Sequence, residues 1–473
     1  VPIMAVIETA ERLLPAGLRA RLAPLTRKLQ SILTDDNDTA RAQRQALSAF
    51  VIRVASAAIA FVSQIVLARL MGEFEYGIFA FVWVVVILAG NLSCLGFHTS
   101  VIRFLHQHKA RGEIDTVRGL NLAIRVIALV SASTIAGLGF TFLHVFGSSI
   151  EPYYLIPVSL AFFTMPMIAL GDVLDGTARS NGWTIMALSP TYLIRPTLIL
   201  AFMLASLWFG ADHTAVTAME AALAATYVTT LSQLLRVSLR LHKRYGSGPK
   251  RFEIGPWFRV SLPLFLVDGI GFLLTNADVV VVGLYLPPDQ VGIYYAAAKT
   301  IVLVQFVYFS IKAAAGPRFS AIMAEGDMTA LATFAGQTAK WSFWPSLAVG
   351  LCALAAGELL LSLFGEGFTA GYWLMAILFA GILSKSLVGP GEVLLSMAGR
   401  QNLCVLLYAV TLACSIALNI ALIPRYGLVG AATATASAMV IEAILLHIAV
   451  RRTLGIVLFA FADPLPSASA KAS

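Results

Sequence analysis

Between residues 47 and 450, apolar runs alternate with short polar breaks twelve times. The runs cover 47–70, 76–97, 120–146, 152–176, 183–209, 215–235, 257–286, 290–316, 341–364, 370–396, 402–423 and 428–450. About 20 residues of helix cross a hydrocarbon core of roughly 30 Å, so each run is long enough to span a bilayer. Only helices and closed barrels satisfy their backbone in lipid, and runs this long and continuous exclude barrel strands. The pattern predicts an all-α polytopic membrane protein with about twelve transmembrane helices.

Composition agrees. Apolar residues make up 59% of the 473-residue chain and charged residues 12%, roughly half the charged share of a soluble domain. The net charge of +8 then reads as membrane topology rather than nucleic-acid binding. With the N-terminus taken as cytoplasmic, the inner connections hold 24 of the 33 Lys and Arg, and the outer turns hold only Arg425. That is the positive-inside pattern, and an even number of spans returns the C-terminus to the same side. The four cysteines lie inside apolar runs with no C-x-x-C spacing, so they indicate packing residues and neither a disulfide framework nor a zinc site. His98, His106 and His108 read as a solvated inner loop, because their gaps do not share a helix face. The tryptophans, Trp257 among them, read mostly as interfacial anchors, with Trp83 further in.

Residues 1–46 form a basic tail without the apolar core and cleavage site of a signal peptide. Leucines at 14, 18, 22, 25 and 29 recur at helical spacing among arginines, as in an interfacial helix, while Pro15 and Pro24 favour partial disorder. The other basic stretch of note, "RVSLRLHKRYGSGPKRFEIG", follows the sixth run. It divides the chain into helices 1–6 (47–235), a linker (236–256), helices 7–12 (257–450) and a tail (451–473). The halves echo each other. "LARLMGEFEYGIFAF" and "VGLYLPPDQVGIYYA" share a Gly-Ile-aromatic step, Gly77-Ile78-Phe79 and Gly292-Ile293-Tyr294, 215 residues apart. Arg179-x-Asn181 returns as Arg400-x-Asn402 after 221 residues. Internal repeats of this kind mark transporters whose site lies between the halves.

The run from Arg53 through "ARLMGEFEYGIFAF" and the stretch "NADVVVVGLYLPPDQVGIYYAAAKT" resemble the first and seventh hairpins of Wzx-type polysaccharide-biosynthesis flippases. These belong to the multidrug/oligosaccharidyl-lipid/polysaccharide exporter superfamily. The resemblance spans about 47–450. It implies two pseudo-repeated six-helix lobes in a V, moving a polyprenyl-diphosphate-linked oligosaccharide from the cytoplasmic to the periplasmic leaflet of the bacterial inner membrane. The basic N-terminal extension is not part of the common pattern.

Ionisable groups deep in spans are costly and mark function. Arg195 lies midway along span 5 between Pro190 and Pro196, and Lys385 lies midway along span 10 above Gly389-Pro390-Gly391. Arg53 and Arg125 enter spans 1 and 3 about two turns in, positions from which they either face a cavity or snorkel. Arg69, Arg259 and Lys312 read as anchors near span ends. Lys299 and Asp278 flank the span 7–8 turn at matching depth, as an ion pair would. Asp268 and Glu442 either bind a coupling proton or sodium ion or neutralise Lys385 or Arg195. A diphosphate suits a cavity lined by Arg195, Lys385, Arg53, Lys299 and Arg125.

No metal or other cofactor is expected. The expected partners are the lipid-linked oligosaccharide, membrane lipids and other polysaccharide-assembly proteins, with no nucleic acid. No H-E-x-x-H, G-x-S-x-G or P-loop motif is present and every outer turn is short, which argues against an enzyme such as a polymerase or ligase. The alternative within the superfamily is a cation-coupled drug or metabolite antiporter.

Overall fold

The computed structural model describes residues 38–462, with side chains from Ile52 onward except Arg53. The amphipathic stretch of the N-terminal tail and the end of the C-terminal tail lie outside the described residues. Every regular element among those described is helical.

Span 1 and span 2 lie within α1 (Asp38–Ser93), which breaks at Gly72, where φ is 76°. Glycine alone takes that angle without strain, so the turn falls there. Leu95 and Gly96 reverse hand again before α2 (Phe97–Ala110). The first lobe continues with α3 (Ile114–Phe146), α4 (Pro152–Ser180), the short α5 (Thr184–Ser189), α6 (Arg195–Trp208) and α7 (Ala215–Tyr245). The second lobe holds α8 (Ile254–Tyr285), α9 (Pro288–Ile301), α10 (Gln305–Glu325), α11 (Met328–Ala355), α12 (Gly357–Ser362), α13 (Tyr372–Val388), α14 (Gly391–Met397) and α15 (Gln401–Leu454). α15 repeats the device of α1: it holds spans 11 and 12 and breaks at Gly427, with φ 55°.

Among the segments that depart from the hydropathy pattern, two extend the second lobe. Span 9 begins at Met328 rather than near 341, because Asp327 caps the backbone N–H groups of Thr329 and Ala330 and buried Ala332, Ala335 and Ala339 give the extra turns a packing face. The stretch after Leu454, expected in a tail, folds back: Ala460 N–H donates to the Leu387 carbonyl, and Ile456 and Leu458 are fully buried. Large apolar side chains such as Leu138, Phe142, Ile156, Leu235 and Leu284 stand exposed on the outside, as lipid-facing residues do.

The repeated hairpins touch each other. A Cβ on Gly77 would lie 1.7 Å from the Pro288 carbonyl oxygen, and one on Gly292 would lie 2.6 Å from that of Glu73. The Gly-Ile-aromatic steps are thus one of the contacts at which the lobes meet, glycine letting two backbones approach. The rings of Tyr76 and Tyr295 stand beside it, 6.1 Å apart. Arg69, expected as an anchor, reaches across instead: its Nε and Nη2 donate to the carbonyls of Leu363 (2.7 Å) and Ser362 (2.9 Å) at the end of α12. Arg69→Met is expected to lower stability by about 1–2 kcal/mol, the worth of exposed charged hydrogen bonds, as read from detergent melting.

Span 7 follows span 2 along its length. Gly283 meets Phe81, Gly269 meets Leu92, and Gly96 meets the Ser261 carbonyl. Further along, the Ser100 and Ser261 hydroxyls lie 2.6 Å apart and Trp257 Nε1 donates to His108 Nε2 at 3.4 Å. Trp257 is fully buried here, not interfacial. Spans 1 and 8 behave otherwise. α9 packs against α1, but after the tight turn Val302–Val304 the next helix, α10, packs on α11 and α14 of its own lobe. Among the described residues, the second half of span 8 is thus packed chiefly within its own lobe.

Candidate functional site: paired lysines on buried acids

α10, α13, α14 and α15 bring four charges together in the second lobe. Lys385 Nζ pairs with Glu442 Oε1, and Lys312 Nζ lies 2.9 Å from Glu392 Oε1. Tyr308 donates to Glu392, 2.7 Å from Oε2, and its ring lies under the Lys385 ammonium at 5.6 Å. The acids are buried, with side chains 6% and 7% exposed, while Lys312 and Lys385 are 36% and 28% exposed. Burying a carboxylate without a partner is costly, so the acids hold the lysines in place. Chemically the four charges balance, and the two ammonium groups are the partly exposed ends of the pairs.

The deep cation in span 10 is thus found with one of its expected counter-ions, Glu442. Lys312 is no anchor but half of the second pair. Glu392 was missed altogether, although a signal was present: "GEVL" at 391–394 repeats "GDVL" at 171–174 after 220 residues. The equivalent acid of the first lobe, Asp172, accepts from Asn91 Nδ2 at 3.1 Å and acts electrostatically on Arg195.

Arg195 itself corrects the sequence reading. It is 5% exposed and lies inside the first lobe, its guanidinium beside Gly171 and its Nε without a hydrogen-bond partner. It does not line an open cavity in this conformation. Ahead of it the helix runs through a π-helical turn from Pro190 to Ile194. Arg125 is also turned into its lobe, donating to Ser238 Oγ at 2.9 Å. Of Arg53 only the backbone position, inside α1, is described.

The expected Lys299–Asp278 ion pair is not formed as a contact. Asp278 accepts from Tyr294 Oη at 2.8 Å, and the Lys299 ammonium sits over the Tyr295 ring at 4.9 Å. Asp268 finds a partner across the lobes, His98 Nε2 at 3.3 Å. His98 and His108 are buried on α2 rather than in a solvated loop; only His106 is exposed. His108 Nδ1 lies 2.6 Å from Glu113 Oε2, and this hydrogen bond holds the Glu113 carboxyl below its usual range. Among the described residues no group of His, Cys, Asp and Glu is placed to hold a metal ion.

The sequence profile described as "Polysaccharide biosynthesis protein" matches residues 43–323, more than half of the chain. The chain belongs to that family. No curated protein sequence matches this chain significantly. Its fold is that of solved transporters. A multidrug resistance MATE family transporter of the MOP superfamily, inward-facing, aligns with TM-score 0.68 at 16% identity, over 84% of this chain and 94% of the other. The lipid II flippase MurJ in an inward closed conformation gives 0.69 at 13%, over 86% and 87%. An outward-facing MATE structure gives 0.60 at 15%, over 90% and 97%. This chain is therefore a multi-pass membrane protein with the V-shaped, two-lobed exporter architecture.

Proposed function

We propose that this family member carries a polyprenyl-diphosphate-linked oligosaccharide from the cytoplasmic to the periplasmic leaflet of a bacterial inner membrane, with both termini cytoplasmic. The observation that carries the reading is the pair of partly exposed lysines, Lys312 and Lys385, standing on buried Glu392 and Glu442 in the second lobe. A diphosphate brings about two negative charges, which two ammonium groups on a hydrated wall meet without a bare passage through hydrocarbon. The lipid tail stays in the bilayer. Family membership and the likeness to a flippase fold support this reading. Arg53 and Lys299 are the further cations of the pathway, and Arg195 and Arg125 join it only if the first lobe rearranges.

In this reading the protein is a carrier and not an enzyme, it needs no cofactor, and its partners are the lipid-linked glycan, the surrounding lipid and other assembly proteins. If transport is coupled to a proton or sodium ion, Asp268 beside His98 and the buried Asp278 are the groups for it, since Glu442 is committed to Lys385. A strain lacking the chain is expected to lose a surface glycan and accumulate its lipid-linked precursor; an unchanged glycan with altered resistance to cationic drugs would instead establish the antiporter reading.

Alternating access requires one seam to open. Ser100→Cys with Ser261→Cys, placed where the hydroxyls are 2.6 Å apart, is expected to form a disulfide on oxidation in a background with the native cysteines replaced. If the span 2–7 seam must part, oxidation stops export and reduction restores it. Full export by the oxidised protein would confine the movement to spans 1 and 8.

A further inference from the structure

Three helices of the first lobe end together at the basic end: α2 at Ala110, α4 at Ser180 and α7 at Tyr245. Asn181, only 9% exposed, sits among these ends. Its Oδ1 accepts from Lys109 Nζ at 2.9 Å and from the Tyr245 hydroxyl at 2.9 Å, and Arg244 Nη1 lies 3.4 Å from the same atom and 3.4 Å from the Asn181 carbonyl oxygen. Its Nδ2 is spent on the Thr177 carbonyl at 2.9 Å. An amide oxygen has two lone pairs, so three donors oversubscribe it. The two cations also share one ring, lying 5.7 Å and 5.9 Å from the centre of Tyr245, and repel each other.

The acids nearby are engaged. Asp175 is paired with Arg179 at 2.6 Å, and Glu113 with His108. Lys109 and Arg244 are thus brought together from separate helices by a neutral side chain and by the carbonyl ends of helices, which attract cations without supplying a full counter-charge. Arg244 is exposed and holds its partner at the long limit of a hydrogen bond. It is free to turn toward an incoming anion. Tetrahedral oxyanions with several acceptor oxygens suit a guanidinium beside an ammonium.

We propose that Lys109 and Arg244, set by Asn181 and Tyr245, bind a phosphate group at the basic end of the first lobe, either the headgroup of a leaflet lipid or a phosphate on a soluble molecule. The site lies in the other lobe from the Lys312–Lys385 wall and does not depend on it.

Brief acylation of lysines, read by mass spectrometry on the full chain in nanodiscs, tests the site. The discs are made of phosphatidylcholine alone, of phosphatidylcholine with phosphatidylglycerol, or of phosphatidylcholine with added pyrophosphate. Lys109 is expected to label roughly tenfold more slowly when a phosphate group occupies the site, the effect of one charge-assisted contact. Slowing only with phosphatidylglycerol assigns the lipid; slowing with pyrophosphate as well assigns a soluble phosphate. Arg244→Gln is expected to abolish the slowing, while Lys243→Gln next to it keeps it. Should Arg244→Gln melt early, Arg244→Lys replaces it and is expected to keep only part of the protection. Labelling unaltered by both additions, or protection that survives loss of Arg244, would overturn the proposal.

Discussion

Gly77→Val is expected to cost about 3 kcal/mol or more and to abolish transport. The added side chain begins with a Cβ only 1.7 Å from the Pro288 carbonyl oxygen, about half the distance of an ordinary van der Waals contact. Neither backbone has room to yield, since Gly292 on the facing helix is itself within reach of the Glu73 carbonyl and the Gly77 amide. Overpacking of a filled interior costs 1–3 kcal/mol where side chains repack, and more where a main chain must move. Detergent melting and export should therefore fail together. Gly72→Ala next door tests a different quantity, backbone strain at φ 76° with open space around it, and is expected to cost about 1 kcal/mol. A normal melt for Gly77→Val would show that the lobes do not meet through the repeated hairpins.

The second large effect is expected at Lys385. Lys385→Met leaves Glu442 buried without its ammonium partner. Breaking a buried pair on one side costs 3–5 kcal/mol, and because Lys385 is partly solvated the expected loss is about 3 kcal/mol, at the low end. Removing both charges behaves differently. In Lys385→Met with Glu442→Gln no orphaned charge remains, and most of the stability is expected to return, because buried pairs are often near neutral against uncharged substitutes. The double variant thus separates the structural work of the pair from any work the ammonium does on cargo. If the double variant melts as low as the single one, the pair is not what stabilises this part of the lobe.

Most of the architecture was legible because a bilayer enforces it. Runs of apolar residues marked the spans, and the breaks inside α1 and α15 fell in expected turns where only glycine fits, at Gly72 and Gly427. The start of span 9 was not legible: "MTALATFAGQTAK" is rich in small and polar residues, and its helicity rests on a cap and on alanines packing against neighbours that a linear reading does not contain. Lys385 could be singled out by depth alone. Which way a deep charge points could not, because position along a span fixes depth and leaves the facing open. Arg195 therefore looked like a cavity residue and is packed in its lobe. Lys312 and Glu392 belong to different helices, and Glu392 follows a Gly-Pro-Gly break that reads as a loop. Only the repeat of "GDVL" in "GEVL" points to it, as the counterpart of Asp172.

The central claim is that the lysine wall of the second lobe holds the anionic end of a lipid-linked cargo. Its most direct test is flipping in liposomes of a fluorescent polyprenyl-diphosphate oligosaccharide by the wild type and by a charge-neutral protein. That protein carries Lys312→Met with Glu392→Gln and Lys385→Met with Glu442→Gln, and its melting is checked first. The account predicts a folded protein whose flipping falls to the rate of empty liposomes. Flipping at the wild-type rate by that folded, lysine-free protein would contradict it.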